Sequence, residues 1–361
     1  MPRVLGIDPG TLSVDVCGLD DGRVFLDASI PGSDTDPGAA LLDLLDRARP
    51  LDLVLGPSGY GLPLLPIEAA GRRELELAFL PAAHGASGSL GLRSLVDRLR
   101  TAKIPVVFAP GVIHLPTVPD HRKANRIDLG TADKVCAAAL AIHDQARRIG
   151  VEPEETAFVL VELGGAFTAI LTIDRGRIIS GVGGSSGPLG LRSGGALDAE
   201  LACLLGSVGK EVVFSGGAAD LAGGSGMTPE ALAARPDAAA ERARAALVEG
   251  VVKAVAGEMA LLGRGVEILL SGRLTRVPGL LVPIRSALGR LGPVRVVERM
   301  AERTKEAAQG AALLADGLAG GRARQIVDAL RLRAAGGTVL DHLYVAGAAD
   351  ARKRVLGLDA A

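Results

Sequence analysis

The 361-residue chain carries 40 basic and 41 acidic side chains, a formal net charge of −1, and is 48% hydrophobic. That balance excludes disorder over most of its length and offers no basic excess for a nucleic-acid partner. The length suits about two domains, and aromatics at 2% with no Trp leave no stacking platform for bases, so the core must come from Leu, Val, Ile and Ala.

Three short strands are predicted first: Arg3 to Asp8, Val14 to Leu19 and Arg23 to Ile30. Pro9-Gly10-Thr11 turns the chain after the first, and Asp20-Asp21-Gly22 is a hairpin signal before the third. A helix over Ala39 to Ala48, a strand over Leu51 to Leu55, a helix over Leu92 to Ala102 and a strand over Pro105 to Ala109 follow. Residues 131–149 form a strong helix, with Thr131 as its cap, Asp133 in the first turn and Arg147-Arg148 in the last.

The opening pattern then recurs. Ala157 to Glu162 is an apolar strand ending in an acid, followed by Leu163-Gly164-Gly165, a strand over Ala166 to Ile173, the hairpin signal Asp174-Arg175-Gly176, and a strand over Arg177 to Gly181. Helix Leu197 to Leu205, strand Glu211 to Phe214, helix Ala238 to Leu262 and strand Val266 to Leu270 follow, the last entering Ser271-Gly272-Arg273. Helix 277–290, strand Val294 to Glu298 and helix 304–318 complete the repeat. The duplication has a period of roughly 150 residues. It divides the chain into a unit at 1–150, a unit at 151–318 and an extension at 319–361, read as one helix and a short tail that packs on the core or forms a subunit contact, leaving a homodimer open.

The acid–glycine turns carry the chemistry. Asp8 ends a strand, and Gly10 and Thr11 begin a turn in which backbone N–H groups and a hydroxyl can meet an anion. Asp8 is then placed to hold Mg²⁺, which takes one or two carboxylates together with phosphate oxygens. Glu162, Gly164, Gly165 and Thr168 repeat that arrangement in the second unit. Two such turns facing across a cleft would clamp a triphosphate. The ordinary reading of one Asp-x-Gly turn is structural; two of them, each opening a three-strand unit, point to nucleotide. His121-Arg122-Lys123-Ala124-Asn125-Arg126 places three cations close together, with Lys123 and Arg126 as a candidate carboxylate or phosphate clamp, and a solvated loop as the plain alternative. Asp128, in the loop just after, is the candidate base or metal ligand.

Gly6-Ile7-Asp8-Pro9-Gly10-Thr11 resembles the first phosphate motif of the actin-like ATPase superfamily, which includes sugar kinases, heat-shock chaperones and acetate kinases. Glu162-Leu163-Gly164-Gly165 resembles its second phosphate motif, and Leu269-Leu270-Ser271-Gly272-Arg273 its adenosine motif. The motif order and the segment Asn125 to Lys134 resemble a family described as predicted butyrate kinases. The resemblance covers residues 1 to about 318. It implies an α/β architecture of duplicated ribonuclease H-like domains with a nucleotide cleft between them, ATP and Mg²⁺ as cofactors, and a kinase acting on a small molecule such as a short-chain carboxylate. In that reading Asp8 and Glu162 organise the metal; Gly10, Thr11, Gly164, Gly165 and Thr168 hold phosphates; Ser271, Gly272 and Arg273 approach adenosine; and Arg126 and Lys123 bind the substrate. Two departures stand out: Glu162 is one methylene longer than the usual Asp, and acetate kinases carry Asn and Ser in the first motif. An ATPase switch or assembly protein of the same fold is the rival reading.

The three cysteines are far apart and suit a reducing compartment, the histidines show no zinc spacing, and no stretch reads as a signal or a membrane span. A cytoplasmic protein with no membrane or nucleic-acid partner is expected.

Overall fold

The computed structural model describes residues 2–10, 13–56, 59–80, 87–263 and 265–357. Two sheets carry the fold. In the first, β1 (Arg3–Pro9), β2 (Ser13–Asp20) and β3 (Arg23–Pro31) run antiparallel, and β4 (Leu53–Gly56), β5 (Leu65–Pro66) and β6 (Val106–Phe108) complete the order β3-β2-β1-β4-β6-β5. β4 is parallel to both β1 and β6. The second sheet has β7 (Phe158–Leu163), β8 (Thr168–Asp174), β9 (Arg177–Val182), β10 (Glu267–Ser271) and β11 (Val294–Val296) in the order β11-β10-β7-β8-β9.

The two sheets repeat each other in detail. Each opens with a three-strand meander, and each first strand then pairs in parallel with a later one. The β2–β3 turn has positive φ at both Asp21 and Gly22; the β8–β9 turn has it at both Arg175 and Gly176. Those are the two central positions of a mirror-type hairpin turn, whose twist matches that of the flanking strands. Each meander also shifts register just beside this turn, at Gly18/Leu19 and at Thr172/Ile173.

Alternation along β7 sends its side chains into two cores. Phe158 and Leu160 join the core shared with the first sheet, whereas Val159, Val161 and Leu163 pack with Leu247, Val251 and Ile284 of the helices Ala238–Met259 and Pro278–Leu288. Between the sheets lie two helices, Ala132–Ile149 and Glu306–Leu318. Their contact is built from alanines and one glycine: a Cβ on Gly310 would stand 1.7 Å from the Cys136 carbonyl oxygen. The Glu306–Leu318 helix, which follows the second sheet in sequence, lies on β1, β2 and β4 of the first. Gly6 of β1 permits this, since a Cβ there would stand 2.2 Å from the Ala312 nitrogen.

Three local expectations are corrected. Glu211 to Phe214 is not a strand; Lys210–Val213 forms one helical turn with no buried residue, because an apolar run without a sheet edge to join has nothing to pair with. The extension is more than one helix and a tail: it holds helices at Arg324–Ala329 and Ala348–Leu356 with a 3₁₀ turn between them. Thr131 stands at the cap position of its helix without a capping bond, its hydroxyl donating to Asp133 instead. Among the described residues no helix is long and apolar enough to cross a membrane.

Candidate active site

Both central helices begin where β1 and β7 end. Lys305 caps the Glu306–Leu318 helix, and Asp133 and Lys134 occupy the first turn of Ala132–Ile149. Two positive helix ends therefore converge on the two strand-end acids, a setting that favours an anionic ligand.

In the first unit, the antiparallel register sets Asp8 opposite Asp15, putting two carboxylates on one face. Lys305 separates them. Its Nζ is 2.8 Å from Asp15 Oδ2, 3.8 Å from Asp8 Oδ2, and donates to the Ser13 carbonyl at 3.4 Å. Gly10 makes room for this lysine, since a Cβ there would stand 2.4 Å from Nζ. Burial pushes the Asp8 carboxyl up to about 7; Lys305 opposes the shift, and Asp133 and Asp15 add to it. Asp15 itself is buried and accepts from the Ser13 hydroxyl at 2.7 Å.

In the second unit, Lys134 Nζ lies 2.8 Å from Glu162 Oε2 and 2.5 Å from Asp133 Oδ2. Burial works against the charge of Lys134, but the two carboxylates outweigh it and carry its pKa above the ordinary lysine value. Glu162 is raised by burial, with Lys134 pulling the other way and Asp133 reinforcing the rise. Asp133 and Lys134 bear on Asp8 as well, so the two halves form one electrostatic cluster.

The glycines behave as packing devices. Gly272 has φ +91°, and a Cβ there would stand 2.6 Å from Glu162 Oε1. Ser271 pairs in register with Glu162, so the third motif joins the second acid–glycine turn. The expected phosphate cradle is less open than the sequence suggests. The Gly10 amide donates to the Asp8 and Ser13 carbonyls at 3.0 and 2.9 Å, and the Gly164 amide to the Phe167 carbonyl at 2.9 Å, because tight turns close on themselves. Gly165 sits half-buried in the same turn. Thr11 lies outside the described residues.

The remaining expected residues separate into two groups. Ser271, in register with Glu162, lies on the cluster's face of the sheet, whereas Thr168 pairs with Leu163 and faces the other side; both are buried, each with a hydroxyl oxygen lacking a hydrogen-bond partner among the described residues. Asp128 is close by but its carboxylate is committed: Oδ1 accepts from the Gly130 amide, and Oδ2 from the amide and hydroxyl of Ser185 at 2.9 Å each. It orders the Gly-Ser loop at 183–187. Lys123 is buried beside His114 and Asp341, with Asp120 3.9 Å away. Arg126 is exposed, and its neighbour Asn125 ties the segment to His342 and Tyr344 of the extension. No described contact joins Lys123 or Arg126 to the acid–lysine cluster. Arg273 pairs with half-exposed Glu230 at 2.9 Å.

Four residues of the site escaped the sequence reading as functional groups: Asp15, Asp133, Lys134 and Lys305. Asp15 interrupts the apolar run Val14 to Leu19, which is a readable anomaly. Lys134 and Lys305 look like ordinary helix-start lysines. Arg192 follows the Gly-Ser loop; its amide donates to the Ala166 carbonyl of the second turn, and its Nε is buried without a hydrogen-bond partner.

Four carboxyls, Asp8, Asp15, Asp133 and Glu162, face two ammoniums, Lys134 and Lys305. Fully ionised, the cluster would hold two uncompensated negative charges; burial is the main cause of the raised Asp8 pKa, and the neighbouring Asp133 and Asp15 add to it. Among the described residues no three carboxylates converge closely enough to cage an ion. The donor set therefore suits a divalent cation that arrives with phosphate oxygens of its own. The unpartnered hydroxyl of Ser271, on the same face as Glu162, fits a polar ligand beside it.

A family model described as a protein of unknown function (DUF1464) matches residues 6–345. No curated protein sequence matches the chain. Among solved structures, a propionate kinase from Francisella tularensis subsp. tularensis SCHU S4 is similar at 13% identity and a TM-score of 0.65, over 86% of this chain and 99% of that one. The Porphyromonas gingivalis acetate kinase is similar at 15% identity and a TM-score of 0.59, over 86% and 98%. The acetate kinase of Entamoeba histolytica gives 12% and 0.58, over 80% and 87%. At these identities the likeness shows the fold, and the fold is that of the actin-like ATPases: two α/β units built on duplicated sheets.

Proposed function

The chain belongs to the DUF1464 family, and on that premise we propose that it is an ATP- and Mg²⁺-dependent phosphotransferase acting on a small molecule, with a short-chain carboxylate such as butyrate as the first acceptor class to test. The observation that carries this reading is the single buried cluster in which Asp8 and Glu162, at equivalent strand ends of the two units, share Asp133 and Lys134. Its setting, at the start of two central helices in a fold shared with propionate and acetate kinases, supports it.

When bound, Mg²⁺ would supply charge neutralisation for the phosphates. Asp8 and Glu162 would hold it. Asp8 gives up its proton as it takes on this role, since its pKa of about 7 falls when positive charge arrives. Lys305 and Lys134 keep the remaining carboxylates from repelling the phosphates, and the helix ends behind them add fixed positive potential. The Arg192 amide bonds the Ala166 carbonyl of the second turn, and its side chain, with a buried Nε lacking a hydrogen-bond partner, is a candidate for meeting charge that develops on the transferred group. Lys123 and Arg126 remain candidates for holding the acceptor, and Ser271, Gly272 and Arg273 for the adenosine side. Two buried free thiols fit a reducing, cytoplasmic setting.

The test is product analysis. Incubation with γ-labelled ATP, Mg²⁺ and carboxylates from acetate to valerate, then with a metabolite pool, is expected to yield a labelled small molecule. Labelled inorganic phosphate alone would replace the kinase with an ATPase switch.

A further inference from the structure

Residues 196–214 form a lobe that leaves and rejoins the second unit at one neck. Ser193 bridges Gly216, the Gly194 amide donates to the Ser215 carbonyl at 2.8 Å, and the Gly217 amide donates to the Arg192 carbonyl at 3.0 Å. Glycine stands on both sides of the neck, with Gly195 at φ +81° and Gly216 at φ +78°; Gly195 lies against the Gly187 and Pro188 backbone, where a Cβ would stand 2.4 Å from the Gly187 carbonyl oxygen. The lobe has no core of its own. Neither of its helices, Ala199–Leu205 and Lys210–Val213, buries a residue, while Leu204 is 85% exposed and Phe214 49%.

Two side chains tie this lobe down. Phe214 meets Phe167 edge-on at 5.0 Å, and Phe167 belongs to the turn that follows Gly164. Lys210 reaches the other unit. Its Nζ donates to the Phe79 carbonyl at 2.7 Å and the Leu80 carbonyl at 3.1 Å, the C-terminal end of the Arg72–Phe79 helix, and lies 5.7 Å from the Tyr60 ring centre. A lysine at a helix C-terminus is favoured by the dipole and by the unpaired last carbonyls. Here it does so from one unit to the other, some 130 residues away in sequence. The neck that Lys210 steadies contains Arg192, and the aromatic contact beside it holds the second glycine turn.

We propose that Lys210 is a positioning residue for the phosphoryl transfer: by latching the 196–214 lobe to the first unit, it seats the Phe167 turn, which closes on Gly164 beside Glu162 of the acid–lysine cluster. This rests on the function proposed above. Glycine at the neck lets the backbone turn there, and neither lobe helix buries a described residue, so among the described residues the Lys210 and Phe214 contacts are what hold the lobe closed.

Hydrogen exchange on the full chain, followed by kinetics, tests it. In the absence of nucleotide, Lys210→Met is expected to speed exchange of the 196–214 amides by about tenfold or more, the weight of a lost charge-assisted hydrogen bond, while the Ala132–Ile149 helix is unchanged. With Mg·ATP, the wild type should protect the lobe together with the two glycine turns; Lys210→Met should protect the turns alone. Its kcat should fall about tenfold with the KM for ATP unchanged, and Lys210→Arg should restore most of both. Wild-type exchange of the lobe in Lys210→Met overturns the latch. Faster exchange with full kcat overturns its positioning role. A chain in which nucleotide protects neither turn overturns the function itself, a result distinct from the other two.

Discussion

Asp8 holds a proton close to neutrality because it is buried, and Lys305, at 3.8 Å, and Lys134 offset that burial only in part. Its ordinary value is 3.8, so between about pH 4 and 7 the folded chain keeps a proton that the unfolded chain has released. Its contribution to stability is therefore full below pH 4 and lost as pH rises through 7. In chelator and without nucleotide, the thermal midpoint of the wild type should fall from pH 5 to pH 8, by the equivalent of roughly 1–3 kcal/mol, and Asp8→Asn should flatten that slope. The same substitution should abolish turnover while leaving the fold cooperative; turnover near the wild-type rate would remove Asp8 from the site. Arg192 poses the opposite trade. Its Nε is buried without a partner, which is a cost to the fold. Arg192→Ala should leave stability unchanged or raise it while lowering kcat about 10–150-fold, and Arg192→Lys should not rescue, lacking the planar fork. A melting point that drops with activity would assign the residue to the fold instead.

At the scale of elements, contact distances decide what each glycine is for. A Cβ on Gly310 would collide with a backbone carbonyl of the facing helix, which no rotamer change relieves. Gly310→Ala should cost about 3 kcal/mol in urea unfolding despite the better helix propensity of alanine. Gly257, in the Ala238–Met259 helix, has no neighbour within 4 Å of an added Cβ, and Gly257→Ala should stabilise by about 0.5–1 kcal/mol. Equal responses would refute the packing account. The elements themselves were largely legible, since the meanders announce themselves by period-two patterning and by the Asp21-Gly22 and Arg175-Gly176 turns. Glu211 to Phe214 misled because β-propensity is visible in sequence whereas the absence of a partner strand is not. In the site, Asp8 and Glu162 were readable from strand-end position. Lys134 and Lys305 were not, because a lysine at a helix start looks the same whether it faces water or a buried acid. Lys123 and Arg126 looked like a clamp because three cations fell close together, and only the fold brings in the extension that packs beside them.

At the scale of the whole molecule, the Glu306–Leu318 helix that covers β1, β2 and β4 comes from beyond the second sheet. That arrangement sets a timetable for synthesis. As the chain leaves the ribosome, the first sheet is complete once Phe108 has emerged, yet one of its faces stays uncovered until Leu318 follows, some two hundred residues later. The nascent first half must be sheltered meanwhile, whether by the helix Ala132–Ile149 or by a chaperone. A fragment of residues 1–150 expressed alone should aggregate, and co-expression with residues 151–357 should recover it as a soluble pair; a fragment that is monomeric and melts cooperatively by itself would contradict this. Evolution by duplication thus produced two copies that can no longer mature separately, and a mutation late in the sequence can act as a folding defect of the beginning.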